Sequence, residues 1–241
     1  PNVFYKNNVA NTIDLLDHAV ESGVKNFIFS SSSSVYGDIN TFPTTEDTPK
    51  APVSPYGLSK SIIEDILPDY EKAYGLKFIA LRYFNAAGAM PDLSHGYTQD
   101  PASHIVPIIA RKVIAGEDVE VFGTDYNTTD GTCERDYTHV FDIGTAHLSS
   151  MNYLNDGGDS GIFNIGAGNS QSVKQVIAEF ETVTGETINT IETDRRAGDP
   201  PKTFADNTLA KETFGWTPIY GLNEIVDHSY QWELKKNKSR K

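Results

Sequence analysis

The sequence has one cysteine, no long apolar run and few basic residues for its length. A lone Cys133 cannot form an internal disulfide, so nothing demands an oxidising compartment and we expect the protein in the cytosol. No apolar run approaches the roughly 18 residues that a membrane-spanning helix needs. The N-terminal residues are polar and contain no signal peptide. The sequence therefore predicts no membrane association.

Basic residues are outnumbered, since 20 Lys and Arg stand against 33 Asp and Glu and give a formal charge of −13. A chain this acidic repels phosphate backbones, which excludes general nucleic-acid binding. A few well-placed arginines or backbone N–H groups still suffice for a small anionic ligand. His, Cys and acidic residues never recur at metal-ligand spacing, so we predict no metal site.

The first third of the chain alternates between helical and strand patterns. Apolar residues recur at helical spacing over 7–22, and 26–31 reads as a short buried strand. A proline opens a second helix over 55–74, and 77–83 is again a buried strand. A glycine follows each helix, as expected at a helix end. This order predicts a parallel sheet with crossover helices.

Beyond residue 85 the rhythm changes to longer loops between shorter elements. Residues 86–103 read as a loop, and so do 123–137. The remaining patterns predict helices at about 104–115, 140–154, 172–184 and 222–235, and strands at 119–122, 163–165 and 188–192.

The motif Pro-Tyr-Gly-Leu-Ser-Lys opens the helix at 55–74. Tyr56 and Lys60 are four residues apart, which places both side chains on one helix face. A nearby ammonium favours the phenolate form of a tyrosine, and a tyrosine tuned in this way can remove or return a hydroxyl proton. Such a pair is frequent on helices by chance, so alone it favours a structural reading.

A run of five serines ends the strand at 26–31. Ligands bind at the carboxyl ends of strands in open parallel sheets, so Ser32 is placed to hydrogen-bond a substrate hydroxyl and to pass a proton to Tyr56. Serine is also common in strand-to-loop turns, and alone this signal is weak.

Together these motifs occur in one order at compatible spacings. Further segments are Asn-Asn-Val (7–9), Val-Lys-Asn-Phe-Ile-Phe-Ser-Ser-Ser (24–32), Leu-Arg-Tyr-Phe-Asn-Ala-Ala-Gly (81–88), Val-Phe-Gly-Thr-Asp-Tyr-x-Thr-x-Asp-Gly-Thr (121–132), Arg-Asp-Tyr-x-His-Val-x-Asp (135–142), Phe-Asn-Ile-Gly (163–166) and Arg-Arg-Ala-Gly-Asp (195–199). The chain resembles the UDP-glucose 4-epimerase family of the extended short-chain dehydrogenase/reductase superfamily almost from end to end.

The resemblance implies an α/β fold with two parts. The first is part of a doubly wound, Rossmann-like parallel sheet for NAD, formed by 1–85 with 140–166. The second is a smaller mixed α/β lobe for the UDP-sugar, formed by 86–139 and 167–241. It also implies a homodimer through the helices at 7–22 and 55–74.

The resemblance further implies a mechanism of reversible oxidation at C4. Tyr56 takes the proton of the sugar 4-hydroxyl while the hydride goes to NAD⁺, and the 4-keto sugar turns over and is reduced on its other face. Ser32, Tyr56 and Lys60 are the implied catalytic residues. The implied cofactor contacts are Asn7, Ser30, Tyr56, Lys60 and Phe84.

On the substrate side the resemblance implies binding of UDP-glucose and UDP-galactose. Two of the implied contacts, Arg135 and Arg196, suit a diphosphate, and the alternative for them is a surface ion pair with Asp136 or Asp194. A small Thr203, where some relatives carry a bulky aromatic, favours UDP-N-acetylhexosamines as further substrates. The implied contacts are Ser32, Tyr56, Tyr83, Asn85, His104, Val121, Phe122, Arg135, Arg196, Asp199 and Thr203.

One departure from the family pattern is the missing glycine-rich phosphate loop. The family opens with strand–Gly-x-x-Gly-x-x-Gly–helix, whose backbone N–H groups hold the NAD pyrophosphate. This sequence contains no such motif, and about the first ninety residues of the pattern are absent. We therefore interpret the chain as a fragment of a longer enzyme, which alone binds NAD poorly and is nearly inactive. A natural truncated paralogue is the alternative.

Two other functions compete with the epimerase. One is another nucleotide-sugar enzyme of the superfamily, a decarboxylase or a dehydratase. Dehydratases carry an Asp-Glu pair where this chain has Ser33 and Ser34, which disfavours them. The other is a non-catalytic domain that binds a nucleotide sugar or only dimerises. The intact Ser32, Tyr56 and Lys60 set argues against that reading, while the missing phosphate loop argues for it.

Overall fold

The computed structural model describes residues 1–39, 41–196 and 198–238. Asn40 lies outside the described residues, and so does Ala197 of the Arg-Arg-Ala-Gly-Asp motif. The helices are α1 Asn2–Phe4, α2 Asn11–Glu21, α3 Pro55–Tyr74, α4 Ile105–Ala115, α5 Val140–Asn155, α6 Val173–Thr184, α7 Thr208–Phe214 and α8 Leu222–Lys238. The strands are β1 Asn26–Ser32, β2 Lys77–Tyr83, β3 Ala86–Ala87, β4 Val119–Phe122, β5 Glu134–Arg135, β6 Thr138–His139, β7 Gly161–Ile165, β8 Gln171–Ser172, β9 Thr190–Thr193 and β10 Lys202–Thr203.

The chain divides into two compact units. Unit 1 contains residues 1–84, 145–165 and 205–217, and unit 2 contains 85–144, 166–204 and the described residues from 218 onward. The sequence placed 205–217 in the second lobe. In the structure this segment carries α7, and Phe214 at its end packs edge-on against Phe163 of β7 with ring centroids 4.9 Å apart. This aromatic contact holds the segment in unit 1.

Unit 1 is built on a parallel sheet with the order β1-β2-β7. The register pairs Ser32 with Tyr83, and Tyr83 with Ile165. The carboxyl ends of the three strands therefore lie side by side, as the Rossmann-like prediction requires.

Helix α3 has strong local signals at both ends. The Ser54 hydroxyl caps it by accepting the Gly57 N–H at 3.1 Å, and Pro55 occupies the first turn. Gly75 ends the helix in a left-handed conformation with φ of 71°, which glycine adopts without steric cost. These signals explain why the observed bounds match those expected from the sequence.

The α3 side of the sheet is packed by an apolar cluster with a buried ion pair beside it. Arg82 of β2 binds the Glu64 carboxylate of α3 in a bidentate pair, at 2.9 and 2.7 Å. The Ser31 hydroxyl donates to the same carboxylate at 2.5 Å, so three elements meet at one charge. The buried apolar cluster consists of Leu16, Phe29, Ile63, Leu67, Leu76, Phe78 and Ala80.

Unit 2 packs helices α4, α6 and α8 around a core next to short sheets. The strands pair as β10-β5-β8, β3-β6 and β4-β9. Helix α6 begins with a capping box, in which Ser172 and Gln175 satisfy each other's backbone N–H groups. Its apolar residues at helical spacing then enter a core that includes Val106, Ile109, Val121, Val176, Ile177, Phe180, Ile225 and Val226.

None of the helices in the described part of the chain combines the length and the apolar character that a membrane crossing needs.

Candidate active site

Unit 1 holds the predicted tyrosine–lysine pair at the carboxyl end of β1. The Lys60 ammonium donates to the Ser30 carbonyl at 2.8 Å and lies 5.8 Å from the centroid of the Tyr56 ring. Burial lowers the pKa of Lys60, because a partly desolvated ammonium loses hydration. The partly desolvated Lys60 ammonium is therefore stabilised by each further hydrogen-bond acceptor or anion that lies beside it.

Ser32 and Tyr56 are brought toward each other through Ser34. The Ser32 hydroxyl lies 3.2 Å from the Ser34 hydroxyl and also accepts the Ser34 N–H at 3.2 Å. On the other side, a Cβ on Gly57 would meet the Ser34 carbonyl oxygen at 2.4 Å. Only glycine lets the first turn of α3 approach this closely, and Tyr56 directly precedes it in the sequence.

A hydrogen-bonded chain that the sequence did not reveal supports the backbone at Tyr56. The Asn8 amide donates to the Ser59 hydroxyl at 3.0 Å, and this hydroxyl donates to the Tyr56 carbonyl at 2.7 Å. Asn8 and its neighbour Asn7 share one π-helical segment, Tyr5–Ala10, and Asn7 is exposed. Helical periodicity does not predict which of two adjacent asparagines turns inward, since the π-helical segment changes the register.

The remaining predicted residues of unit 1 lie at the end of β2. The Tyr83 hydroxyl lies 2.9 Å from Ser30 Oγ, and burial first, with the nearby Tyr56 as a smaller cause, raises the pKa of Tyr83 to about 12. Phe84 is buried in a cluster with Val35 and Tyr36. The roles predicted for Tyr83, Phe84 and Asn7 stay predictions.

Unit 2 contains a cleft of about 250 Å³. Its walls join the helix α4 start to strands β3, β4 and β5 and to the segment around residue 196. The predicted substrate residues in these walls are Asn85, His104, Phe122, Arg135, Arg196 and Asp199. Residues spread over more than a hundred positions of sequence thus meet in one cavity.

The cleft brings two arginines, Arg135 and Arg196, together with the carboxylates of Glu120 and Asp199. The Arg196 guanidinium lies 3.8 Å from the Phe122 ring centroid, and Arg135 pairs with Asp199 at 3.2 Å. The N-terminus of α4 contributes His104 and Ile105 to the wall, and helix N-termini favour anions. The alternative surface partner Asp136 is buried and accepts backbone N–H bonds from Ala167 and Gly168 at 2.7 and 3.1 Å.

Two predicted substrate residues lie elsewhere in unit 2. Val121 is buried in the core of the unit. Thr203, on β10, pairs in register with Arg135. Neither Val121 nor Thr203 belongs to the described wall of the cleft. Their contact with a substrate stays a prediction.

Cys133 and Tyr137 line the cleft although the sequence did not mark them as binding residues. Burial raises the pKa of the Cys133 thiol and that of the Tyr137 phenol, so both side chains stay neutral. A buried, neutral thiol is a poor nucleophile. The sequence around Cys133 contains no motif that predicts its place in the cleft. That place depends on the folding of distant segments, such as Val173, whose N–H donates to the Cys133 carbonyl at 3.2 Å.

Within the described residues, no group of His, Cys, Asp and Glu side chains is arranged to hold a metal ion.

Comparison with known proteins agrees with this geometry. The family described as "NAD dependent epimerase/dehydratase family" matches residues 1–166. The chain belongs to this family. A UDP-glucose 4-epimerase of Streptococcus mutans is 42% identical over 235 residues, which are 96% of this chain and 70% of that protein.

Solved structures give the same result. A UDP-glucose 4-epimerase of Stenotrophomonas maltophila, with bound NAD and formylated UDP-arabinopyranose, is 34% identical with a TM-score of 0.94, covering 98% of this chain and 71% of that one. The enzyme of Brucella ovis in complex with NAD is 40% identical with a TM-score of 0.91, covering 94% and 70%. The resemblance, the α/β Rossmann-like fold and the NAD dependence expected from the sequence are confirmed.

The residues of unit 1 fit the nicotinamide ribose end of NAD. An ammonium has three donors, one of which goes to the Ser30 carbonyl, and ribose hydroxyls are suitable acceptors for the others. Tyr56 and the exposed Ser30 lie within the same region at the carboxyl end of the sheet. The glycine-rich loop that holds the pyrophosphate in this family does not occur in this sequence.

Proposed function

We propose that this protein is an NAD-dependent 4-epimerase that interconverts UDP-glucose and UDP-galactose. The observation that carries the proposal is the Lys60 ammonium, fixed by the Ser30 carbonyl at 2.8 Å beside the Tyr56 ring at the carboxyl end of a parallel sheet. This arrangement supplies a proton acceptor and donor for a sugar hydroxyl.

Tyr56 is the proposed acid–base group. Tyr56, beside the Lys60 ammonium, takes the proton of the 4-hydroxyl and returns it to the 4-keto oxygen in the reverse direction. Ser32 orients that oxygen, because its hydroxyl can exchange the Ser34 contact at 3.2 Å for a substrate oxygen. Bound NAD supplies a reversible hydride acceptor for C4.

Lys60 has a second role as the anchor for the nicotinamide ribose. Its burial lowers the pKa of the ammonium, and hydrogen bonds that the ammonium donates to ribose hydroxyls offset the lost hydration. One side chain thus holds the cofactor beside Tyr56. Asn7, Ser30 and Phe84 are the other proposed cofactor contacts.

The cleft of unit 2 is the proposed UDP site. Arg135, Arg196 and the α4 N-terminus provide the donors that a diphosphate requires. Phe122 and the apolar wall suit the flat uracil base, and Asn85 is held at the rim by donating to the Asp136 carbonyl at 2.8 Å. Local cations of this kind bind an anion despite a formal chain charge of −13.

The epimerase is favoured over a dehydratase by the residues that follow β1. The segment Ser33–Val35 forms one 3₁₀ turn, and its two serines replace the acidic pair that dehydration needs as a second acid and base. A decarboxylase and an epimerase give different products, so product analysis distinguishes the two functions.

Three finer points extend the proposal. The small Thr203 leaves room for an N-acetyl group, so UDP-N-acetylhexosamines are proposed as further substrates. Three large apolar side chains on these helices are exposed: Leu15 of α2 to 55%, Leu58 of α3 to 40% and Tyr74 of α3 to 58%. Their exposure supports a homodimer through α2 and α3. The single cysteine supports a cytosolic location.

The function is tested by incubating the full-length protein with NAD and UDP-galactose and following the sugar signals by ¹H NMR. We expect UDP-glucose to appear until both sugars reach equilibrium. Conversion of UDP-glucuronate to UDP-xylose without epimerisation would favour the decarboxylase. UDP binding in calorimetry without any turnover would favour the non-catalytic domain.

Substrate range and assembly need separate measurements. Turnover of UDP-N-acetylglucosamine beside UDP-glucose is expected, and its absence beside good UDP-glucose turnover would remove the Thr203 proposal. Light scattering should give twice the chain mass for the wild type and one chain mass for Leu15→Glu. A monomeric wild type would contradict the homodimer.

A further inference from the structure

Three side chains of unit 1 form a hydrogen-bonded chain at the carboxyl end of the sheet. His147 Nε2, on α5, lies 2.7 Å from the Tyr83 hydroxyl. The Tyr83 hydroxyl lies 2.9 Å from Ser30 Oγ, and Ser30 Oγ lies 3.4 Å from the same His147 nitrogen. The Tyr83 and His147 rings are tilted with centroids 5.7 Å apart. No motif in the sequence assigns a function to His147.

The chemistry of the middle group makes the chain directional. Burial raises the pKa of Tyr83 to about 12, so its hydroxyl keeps its proton at neutral pH. A phenol has one hydrogen and donates it once. If His147 Nε2 carries a proton, it donates to Tyr83, Tyr83 donates to Ser30, and the Ser30 hydrogen points onward. If Nε2 is bare, every bond in the chain reverses.

The geometry favours the first direction. The Tyr83 hydroxyl is placed to donate to Ser30 Oγ at 2.9 Å, which leaves the contact with His147 to be made by an Nε2–H donor. Ser30 is exposed, and its hydroxyl hydrogen then serves an acceptor outside this chain. The backbone carbonyl of the same residue fixes Lys60 at 2.8 Å, so Ser30 presents a donor beside the anchored ammonium.

We propose that His147 is a positioning residue, which through the Tyr83 hydroxyl holds the Ser30 hydroxyl as a hydrogen-bond donor toward the nicotinamide end of the cofactor. The cofactor part of this statement rests on the proposed function. The direction of the hydrogen-bonded chain does not, because the tautomer of His147 can be measured without the cofactor.

The first test reads the tautomer of His147 by ¹⁵N NMR on the full-length protein labelled at histidine. We expect the Nε2–H tautomer in the wild type. Tyr83→Phe removes the acceptor and should shift the Nε2 signal, while Tyr74→Phe, an exposed tyrosine of the same unit, should not. An Nδ1–H tautomer, or an Nε2 signal that ignores Tyr83→Phe, would overturn the proposal.

The second test compares variants of His147 in turnover. His147→Leu cannot donate and should lower kcat by about three- to tenfold, the effect of one net hydrogen bond. His147→Gln places an amide N–H near the Nε2 position and should recover most of kcat. His95→Leu, at an exposed histidine of unit 2, serves as the matched control.

A double-mutant cycle separates positioning from packing. His147→Leu combined with Tyr83→Phe should lower kcat no further than the stronger single change, because both break one chain. Fully additive losses, or equal kcat for the Leu and Gln variants, would contradict the proposal. If His147→Leu does not fold, His147→Gln, Tyr83→Phe and the tautomer still decide. An inactive wild type with the expected tautomer would count against the proposed function only.

Discussion

The two units build their parts of the function in different ways. Unit 1 carries its reactive groups on one helix and one strand, where Tyr56 and Lys60 are one turn apart and the Ser30 carbonyl fixes the amine. Unit 2 gathers its cleft from segments between residues 85 and 199. Local spacing therefore creates the proposed reactive pair, while long-range packing creates the proposed UDP cleft.

This difference teaches how the effects of mutations should separate. A change on α3 in unit 1 should alter the rate of the chemical step without changing the affinity for UDP. A change in the cleft of unit 2 should alter the affinity for UDP without changing the rate at saturating substrate. Lys60→Met and Arg196→Ala test whether the effects on rate and on affinity separate in this way.

Lys60→Met should have the largest effect. It removes the ammonium that lies beside the Tyr56 ring and is proposed to hold the nicotinamide ribose, and we expect kcat to fall by about 10²- to 10³-fold. The affinity for UDP in calorimetry should stay within about twofold, because Lys60 belongs to unit 1. Lys72→Met, at the other end of α3, is the matched control and should retain kcat. A large loss of UDP affinity in Lys60→Met would break the separation.

Glu64→Gln should have the largest effect on stability. It leaves the Arg82 guanidinium, only 3% exposed, without its carboxylate, and breaking a buried pair costs about 3–5 kcal/mol of unfolding free energy. Urea unfolding followed by circular dichroism measures this. Asp65→Asn, on the same helix and in a surface pair with Lys50, should cost less than about 1 kcal/mol. An equal loss of unfolding free energy in both variants would show that the buried pair contributes no more stability than the surface pair.

His139 should make unit 2 sensitive to acid. Burial, and to a smaller degree the charge of His228, lowers the pKa of His139 from 6.5 to about 4. The unfolded ring binds a proton below 6.5 and the folded ring does not. The stability present above pH 6.5 is therefore lost as the pH falls toward 4, by roughly 3 kcal/mol.

Urea unfolding of the full-length protein at pH 7 and pH 4 tests this. His139→Asn removes the titrating ring and keeps an acceptor near the Phe141 N–H, which His139 Nδ1 accepts at 3.0 Å. The variant should lose about 3 kcal/mol less than the wild type over this range. Equal losses would show that His139 does not set the acid sensitivity.

Arg196→Ala should have the smallest effect and the opposite signature to Lys60→Met. Losing a hydrogen bond to a charged group costs about 1.5–3 kcal/mol, so the Kd for UDP should rise by about ten- to a hundredfold with kcat retained. The neighbouring Arg195, which pairs with Asp125 at 2.6 Å, is the matched control. A tight UDP complex in Arg196→Ala would contradict the diphosphate role.

The sequence predicted the elements that carry their own end signals. Pro55 and Gly75 set the bounds of α3, and the alternation of apolar residues set those of β4. Helix α7 was missed because it is only seven residues long. The two-residue strands of unit 2 were missed too, since they form only when distant segments pair.

The candidate site follows the same rule. Tyr56 and Lys60 were predictable from spacing, and the resemblance added Arg135 and Arg196, which the structure places in one cleft. The chain from His147 to Ser30 joins residues 117 positions apart, and the cleft position of Cys133 depends on segments spread between residues 85 and 199. No local pattern in the sequence encodes such contacts.

The central claim concerns the Tyr56 hydroxyl as the acid–base group. It is tested most directly by single-turnover conversion of UDP-galactose to UDP-glucose in Tyr56→Phe, with Tyr74→Phe on the same helix as the control. The account predicts a loss of at least about 10²-fold in rate with unchanged UDP affinity in Tyr56→Phe, and a wild-type rate in Tyr74→Phe. A Tyr56→Phe enzyme that epimerises at the wild-type rate would contradict it.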